Sequence, residues 1–68
     1  MLWLQETGQP VTCTEKLRVL DENWAEVQSI LQDAFDDAVL MGVSEQGMRE
    51  KLTDLVAALV SPKVGHSA

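Results

Sequence analysis

The sequence has few of the residues on which active sites and metal centres depend: its 68 residues include one Cys, one His and no Tyr. Cys13 has no second cysteine for an internal disulfide and no companions for a zinc site, and His66 stands alone near the end of the chain. A Gly-rich phosphate loop and a nucleophile motif are also missing. We therefore predict a protein that is not an enzyme and that has no catalytic residues, no cofactor and no metal.

Basic residues are scarce as well, because five Lys and Arg stand against eleven Asp and Glu and leave a formal net charge of −6. Proteins bind nucleic acids and anionic membranes mainly through Lys and Arg, so we expect neither as a partner. No apolar run approaches the roughly 18 residues of a membrane span. Residues 1–4 lack the basic leader of a secretion signal, and a lone cysteine fits a reducing compartment, so we expect a cytoplasmic protein.

The apolar residues that are present follow a helical period. Residues 12–15 match a capping box, in which a Thr hydroxyl and a Glu carboxylate cap a helix N-terminus. Apolar side chains then recur every three or four residues as far as Met41, after which Gly42 can take the left-handed conformation that ends a helix. The pattern predicts a long helix over about residues 13–41, with an apolar face that comprises Leu17, Leu20, Trp24, Val27, Leu31, Ala34, Ala38 and Met41.

A second, shorter helix is predicted over about residues 45–60. Ser44 is a favourable N-cap, and the apolar residues that follow it recur at helical spacing. Pro62 disfavours helix at the residue before it, so residues 61–68 are predicted as a tail. Because the connection between the two helices is short, we expect them to pack antiparallel as a hairpin.

Residues 1–11 differ from the helical part of the chain. Trp3 lies between two leucines, and the turn-forming residues 7–10 precede a segment that is rich in β-branched side chains. The pattern is typical of an extended arm or of a short β-hairpin, and both alternatives stay open. The predicted fold class is therefore all-α: one small domain over residues 1–68, built as an antiparallel two-helix hairpin with a short extended N-terminal arm.

The unequal lengths of the two helices predict a partner for the longer one. At about 1.5 Å per residue, the second helix is too short to cover the N-terminal half of the first. Large apolar side chains gain roughly 1.5–3 kcal/mol each from burial, so we expect that half to be covered. A homodimer that forms a four-helix bundle would cover it, and the alternative is a monomer closed by its own arm. The predicted oligomer interface comprises Leu17, Leu20, Trp24, Val27 and Leu31.

The acidic residues of the long helix lie on the side opposite its apolar face. They form either a solvated face or a row of carboxylates that imitates the phosphates of a nucleic acid. Trp3 in the arm is a candidate anchor on another protein, because an aromatic side chain beside two leucines suits a groove; the alternative is that it packs back onto its own dimer. The predicted partner surface comprises Trp3, Glu26, Asp33, Asp36 and Asp37.

Together these features predict a small acidic, non-catalytic accessory or regulatory protein. It would act through protein–protein interaction as a homo-oligomer, with an unidentified protein as its further partner. Two alternatives stay open: an inhibitor that imitates nucleic acid and binds a basic protein, and a small obligate subunit of a larger complex.

Overall fold

A computed structural model describes residues 1–63 of the chain, and these residues contain two helices and no strand. Helix α1 spans Thr14–Leu40 and helix α2 spans Glu45–Ala57. The chain divides into two compact units, Met1–Asp33 and a second unit that begins at Ala34, so the division falls within α1. The all-α prediction is confirmed.

Helix α1 begins after Cys13, whose carbonyl oxygen accepts the first helical hydrogen bond, from the Leu17 amide at 2.9 Å. The capping-box prediction directs the Glu15 carboxylate back to the Thr12 amide. In the structure, the Glu15 carboxylate instead pairs with the Arg18 guanidinium at 3.0 Å, one turn further along the helix. Because Glu15 and Arg18 lie on one face of the helix, this ion pair competes with the cap for the same carboxylate.

Gly42 ends α1, as predicted. Its φ of 102° is left-handed, a conformation that is costly for residues with a Cβ atom. The Val43 amide donates to the Ala38 carbonyl at 2.9 Å, and the Gly42 amide donates to the Val39 carbonyl at 3.1 Å. These two bonds are the Schellman arrangement, which satisfies carbonyl groups that the end of a helix would otherwise leave open.

Helix α2 begins with the predicted cap, because the Ser44 hydroxyl accepts a hydrogen bond from the Gly47 amide at 2.9 Å. It ends at Ala57, three residues before the end near residue 60 that the sequence pattern predicts. The Ala58 amide still bonds to the Asp54 carbonyl, but the chain then leaves the helix ahead of Pro62. Of the predicted tail over residues 61–68, only residues 61–63 are described, and His66 lies outside the described residues.

Within the second unit, the last turns of α1 contact α2. The Arg49 guanidinium on α2 lies 4.8 Å from the centroid of the Phe35 ring on α1. Residues 41–44 join the two helices, and this connection is short enough for the chain to fold back on itself. The hairpin-like arrangement of two helices is therefore confirmed.

The N-terminal arm reverses direction through a turn at residues 6–8, where Gly8 has a φ of 88°. Leu4 and Pro10 form one isolated antiparallel bridge. The Val11 amide donates to the Trp3 carbonyl at 2.8 Å, and so joins the two ends of the reversal. The arm thus has the backbone pairing of a hairpin at one position, without a strand on either side.

Candidate interaction surface

The five predicted interface residues all lie on α1, and each keeps part of its side chain in contact with solvent. Leu17, Leu20 and Leu31 are half-buried, whereas Trp24 and Val27 are 45% and 47% exposed. All ten residues from 21 to 30 are exposed. A helix segment that is exposed on every side gains little from burial, so this part of α1 offers apolar surface that a partner could cover.

The arm packs on part of this surface through Trp3. The Trp3 and Trp24 rings meet edge to face, with centroids 5.8 Å apart and an interplanar angle of 79°. The Trp3 indole N–H donates to a carboxylate oxygen of Asp21 at 2.8 Å. Trp3 is half-buried as a result, so the residue predicted as an anchor for another protein is held against its own helix.

Beside the arm, an open apolar depression of about 410 Å³ runs along the first turns of α1. Val11 forms one side of it, and Val19 and Leu20 are among the helix residues that form the other. Val19 is 47% exposed, although it lies outside the predicted interface. Sequence reasoning missed Val19 because it falls outside the three- and four-residue spacing of the predicted apolar face. The placement of the arm makes it part of an apolar surface.

The acidic residues of the predicted partner surface lie along α1 and are exposed: Glu26, Asp33, Asp36 and Asp37. Glu22, on the same side of the helix, pairs with Arg18 at 3.3 Å. Ion pairs at this exposure add at most a few tenths of a kcal/mol each, so Arg18 stabilises the first turns of α1 only modestly.

Cys13, at the N-terminus of α1, has a thiol whose chemistry the helix alters. The backbone N–H of Lys16 donates to its sulfur and is the largest cause of the lowered pKa of the thiol. Desolvation, the next largest, opposes it, and the Glu15 N–H and the Lys16 charge lower the pKa further. The first amides of a helix stabilise a negative charge, which is the physical reason for the direction. The thiol is exposed, so it is accessible to reagents.

In the second unit, the aromatic contact between Phe35 and Arg49 was not predicted from the sequence. Arg49 also pairs with Glu45 at 3.5 Å, one turn earlier on α2. Phe35 and Val39 line an open depression together with Glu45. Leu55 and Val56 further along α2 are 56% and 58% exposed, so this helix also presents apolar surface.

Among residues 1–63, no group of three or more His, Cys, Asp or Glu side chains is arranged to hold a metal ion. In that part of the chain, neither helix combines the length and the apolar character needed to cross a membrane. Comparison with protein families, with curated proteins and with solved structures gave no match to this chain.

Proposed function

We propose that this chain is a small acidic, non-catalytic accessory or regulatory protein that acts through protein–protein interaction as a homo-oligomer. The observation that carries the proposal is the exposure of the apolar face of α1, where Trp24, Val27 and Ile30 are 45%, 47% and 67% exposed. Large apolar side chains that recur along one helix face are a common signature of an interface.

The size of the chain supports self-association. A single core of 68 residues rarely supplies more than about 3–5 kcal/mol, and every residue from 1 to 63 is exposed or only half-buried. Covering Val27 and Ile30 with a second chain would add burial that the first unit lacks. Two-fold dimers are the commonest oligomers, because one surface patch serves both subunits.

In the proposed assembly, the helices of two chains form a four-helix bundle. The arm, whose Leu4–Pro10 bridge already pairs its two ends, forms a short β-hairpin against α1. The exposed acids Glu26, Asp33, Asp36 and Asp37 face outward for a further protein partner. We place this activity in the cytoplasm because a lone cysteine fits a reducing compartment, and the net charge of −6 disfavours a nucleic acid or an anionic membrane as a partner.

Sedimentation equilibrium at micromolar concentration tests the proposal. We expect a mass of twice the 7.5 kDa of one chain, or a higher multiple. A mass of one chain across the concentration range would overturn self-association, and with it the proposed function.

A matched pair of variants tests whether α1 carries the interface. Val27→Asp adds a charge to the exposed apolar face and should dissociate the oligomer, because an unpaired charge would be buried there. Ser29→Asp adds the same charge to an exposed position on the same helix and should leave the mass unchanged. Circular dichroism checks that both variants stay helical. Equal masses for the two variants would show that the interface lies elsewhere.

A further inference from the structure

The N-terminal arm has two backbone edges, and one of them is open. Leu4 and Pro10 form its antiparallel bridge, between the hydrogen bonds that the Gln5 and Val11 amides donate across the arm. In this antiparallel pattern the two bridged residues point their own backbone groups away from each other. The Leu4 N–H and C=O therefore lie on the outer side of residues 2–4, which we call the arm edge.

The arm edge carries hydrogen-bonding groups that nothing in residues 1–63 pairs with. Leu2 lies two positions before Leu4, so its backbone groups face the same side of an extended segment. Among the described residues, no hydrogen bond involves the backbone N–H or C=O of Leu2 or Leu4. Their side chains are 72% and 61% exposed, whereas Trp3 between them is half-buried. This alternation is typical of a strand, and an unpaired strand edge is a template for another strand.

The opposite edge of the arm is closed. Pro10 has no N–H group, and its carbonyl oxygen accepts a hydrogen bond from the Gln5 side-chain amide at 3.2 Å. Proline is one of the means by which proteins protect a strand edge from pairing. A further strand can therefore join the arm along the arm edge and not along the edge of Pro10.

We propose that the arm edge pairs with the arm edge of a second copy of the chain, antiparallel and with Trp3 at the two-fold axis. Leu2 of one chain then lies opposite Leu4 of the partner subunit, and each such pair exchanges both backbone hydrogen bonds. The two arms become one short sheet. The inference rests on the proposed homo-oligomer and deepens it, because it names a segment through which two copies associate.

The hydrogen-bonding pattern and the charge favour a second copy as the occupant of the arm edge. An N–H and a C=O at both Leu2 and Leu4 make the edge complementary to itself in the antiparallel direction, as a two-fold interface requires. Residues 1–5 have no charged side chain, although the whole chain has a net charge of −6. Two copies therefore meet at the arm edge without bringing acidic side chains together.

The packing of the arm on α1 brings further surface into the same interface. Trp3 contacts Trp24, and Val11 lines a depression with Val19 and Leu20, so both segments of the arm lie on the part of α1 in the first unit. Two arms joined at their edges have centres about 9.5 Å apart, and packed helices lie about 8–10 Å apart. Because stable interfaces bury roughly 1,200–2,000 Å², the exposed apolar side chains of α1 contribute beside the short arms.

A matched pair of variants isolates the backbone of the arm edge. Leu4→Pro removes the outward N–H, whereas Leu4→Ala shortens the side chain and keeps that N–H. Proline is tolerated where the N–H of an edge strand points outward. The two-fold pair loses a hydrogen bond on each side, so Leu4→Pro should have a dissociation constant about tenfold above that of Leu4→Ala in sedimentation equilibrium. Leu4→Ala should stay within about twofold of the natural chain, because this side chain is 61% exposed.

Amide hydrogen exchange of the natural chain gives a second measurement that needs no substitution. When the concentration rises through the dissociation constant, the Leu2 and Leu4 amides should exchange at least about fivefold more slowly. The Thr12 amide is the internal control, because Thr12 lies two positions after Pro10 on the closed edge. Its exchange rate should not depend on concentration.

Disulfide cross-linking tests the register. In a Cys13→Ser background, Leu2→Cys and Leu4→Cys should each link poorly alone and should link on mild oxidation when the two variants are mixed and allowed to exchange. Gln9→Cys, an exposed position in the other segment of the arm, is the control and should stay unlinked. Faster linking of each variant with its own copy than in the mixture would overturn the antiparallel register.

The outcomes separate this inference from the proposed function. If the natural chain sediments as a dimer while Leu4→Pro and Leu4→Ala associate equally and the Leu4 amide exchanges at one rate throughout, the homo-oligomer stands and the arm edge is not part of its interface. A strand of another protein as the true occupant would give these same two results with the purified chain, and so would also overturn the inference. A natural chain that sediments as a monomer overturns both.

Discussion

The Trp3 and Trp24 rings pack edge to face at 5.8 Å, and the Trp3 indole N–H donates to Asp21 at 2.8 Å. One side chain from the arm thus makes an apolar and a polar contact within one turn of α1. Asp21 and Trp24 lie three positions apart on the helix, which is why one indole can reach both.

Replacing Trp3 should separate these two contacts. Trp3→Phe keeps an aromatic ring and removes the N–H donor, so it should lower the free energy of unfolding by about 1 kcal/mol. Trp3→Ala removes both contacts and should lower it by about 1–2 kcal/mol. Urea unfolding at one fixed chain concentration measures both, because self-association would add a concentration-dependent part to the stability.

Leu2→Ala is the control for the Trp3 variants. Leu2 is 72% exposed in the same arm, so its truncation should change the free energy of unfolding by less than about 0.5 kcal/mol. If Trp3→Ala and Leu2→Ala were equally stable, the arm would contribute nothing through its packing on α1.

The Ser44 cap and Gly47 should show coupled effects. Ser44→Ala should lower the free energy of unfolding by about 0.5–2 kcal/mol, because the Gly47 amide loses its acceptor. A Cβ atom on Gly47 would stand 2.8 Å from the Ser44 oxygen, so Gly47→Ala forces that hydroxyl away and should also be destabilising. In the Ser44→Ala background the clash is absent, and Gly47→Ala should become neutral or stabilising through the higher helix propensity of Ala.

Thermal unfolding of the natural chain, the two single variants and the double variant measures how far the effects of Ser44→Ala and Gly47→Ala depend on each other. Gly47→Ala should lower the melting temperature of the natural chain, and it should leave that of the Ser44→Ala chain unchanged or raise it. Additive effects would contradict the cap as the reason for a glycine at this position.

The ends of the helices could be predicted from the sequence because their signals are local. Gly42 follows the last residue of the helical period, and Ser44 precedes the next one, so each could be assigned from its neighbours alone. The end of α2 was less accurate. Residues 58–60 continue the apolar pattern, but Pro62 removes the geometry that a further turn would need.

The contacts between elements could not be predicted in the same way. Phe35 lies on α1 and Arg49 lies on α2, beyond the connection between the helices. From the sequence alone, each could have contacted several other side chains on the facing helix. The hydrogen bond from the Trp3 indole N–H to Asp21 depends on how the arm reverses at Gly8, which no local sequence signal determines. The recurrence of apolar residues every three or four positions located the apolar face of α1, but it could not show which of these side chains the arm contacts in the first unit.

The contact of Arg49 with Phe35 should make a small, measurable contribution to stability. Arg49→Met keeps the apolar stem and removes the charge over the ring, so it should lower the free energy of unfolding by about 0.5–1 kcal/mol. Lys51→Met removes a charge from an exposed position on the same helix and is the matched control. If Arg49→Met and Lys51→Met lowered the free energy of unfolding equally, the change in net charge alone would explain the loss of stability.

Cys13 should react as a thiol of lowered pKa. The Lys16 amide stabilises the thiolate in the folded chain, so the pH midpoint of alkylation by iodoacetamide should lie below that of the same chain unfolded in urea. Lys16→Gln keeps the backbone N–H and removes the side-chain charge. Because the hydrogen bond is the larger cause, this variant should keep most of the difference. Coincident midpoints for the folded and unfolded chains would contradict the helix as the source of the shift.

The same lowered pKa has a consequence for stability. A thiol that ionises more readily in the folded chain stabilises that state wherever the thiolate is present, and the benefit is lost as the pH falls through the folded pKa. The natural chain should therefore gain stability relative to Cys13→Ser as the pH rises from neutral into the alkaline range. Urea midpoints of the two chains, measured under reducing conditions across that range, should diverge with rising pH. Parallel curves would show that the helix amides do not distinguish the thiolate from the thiol.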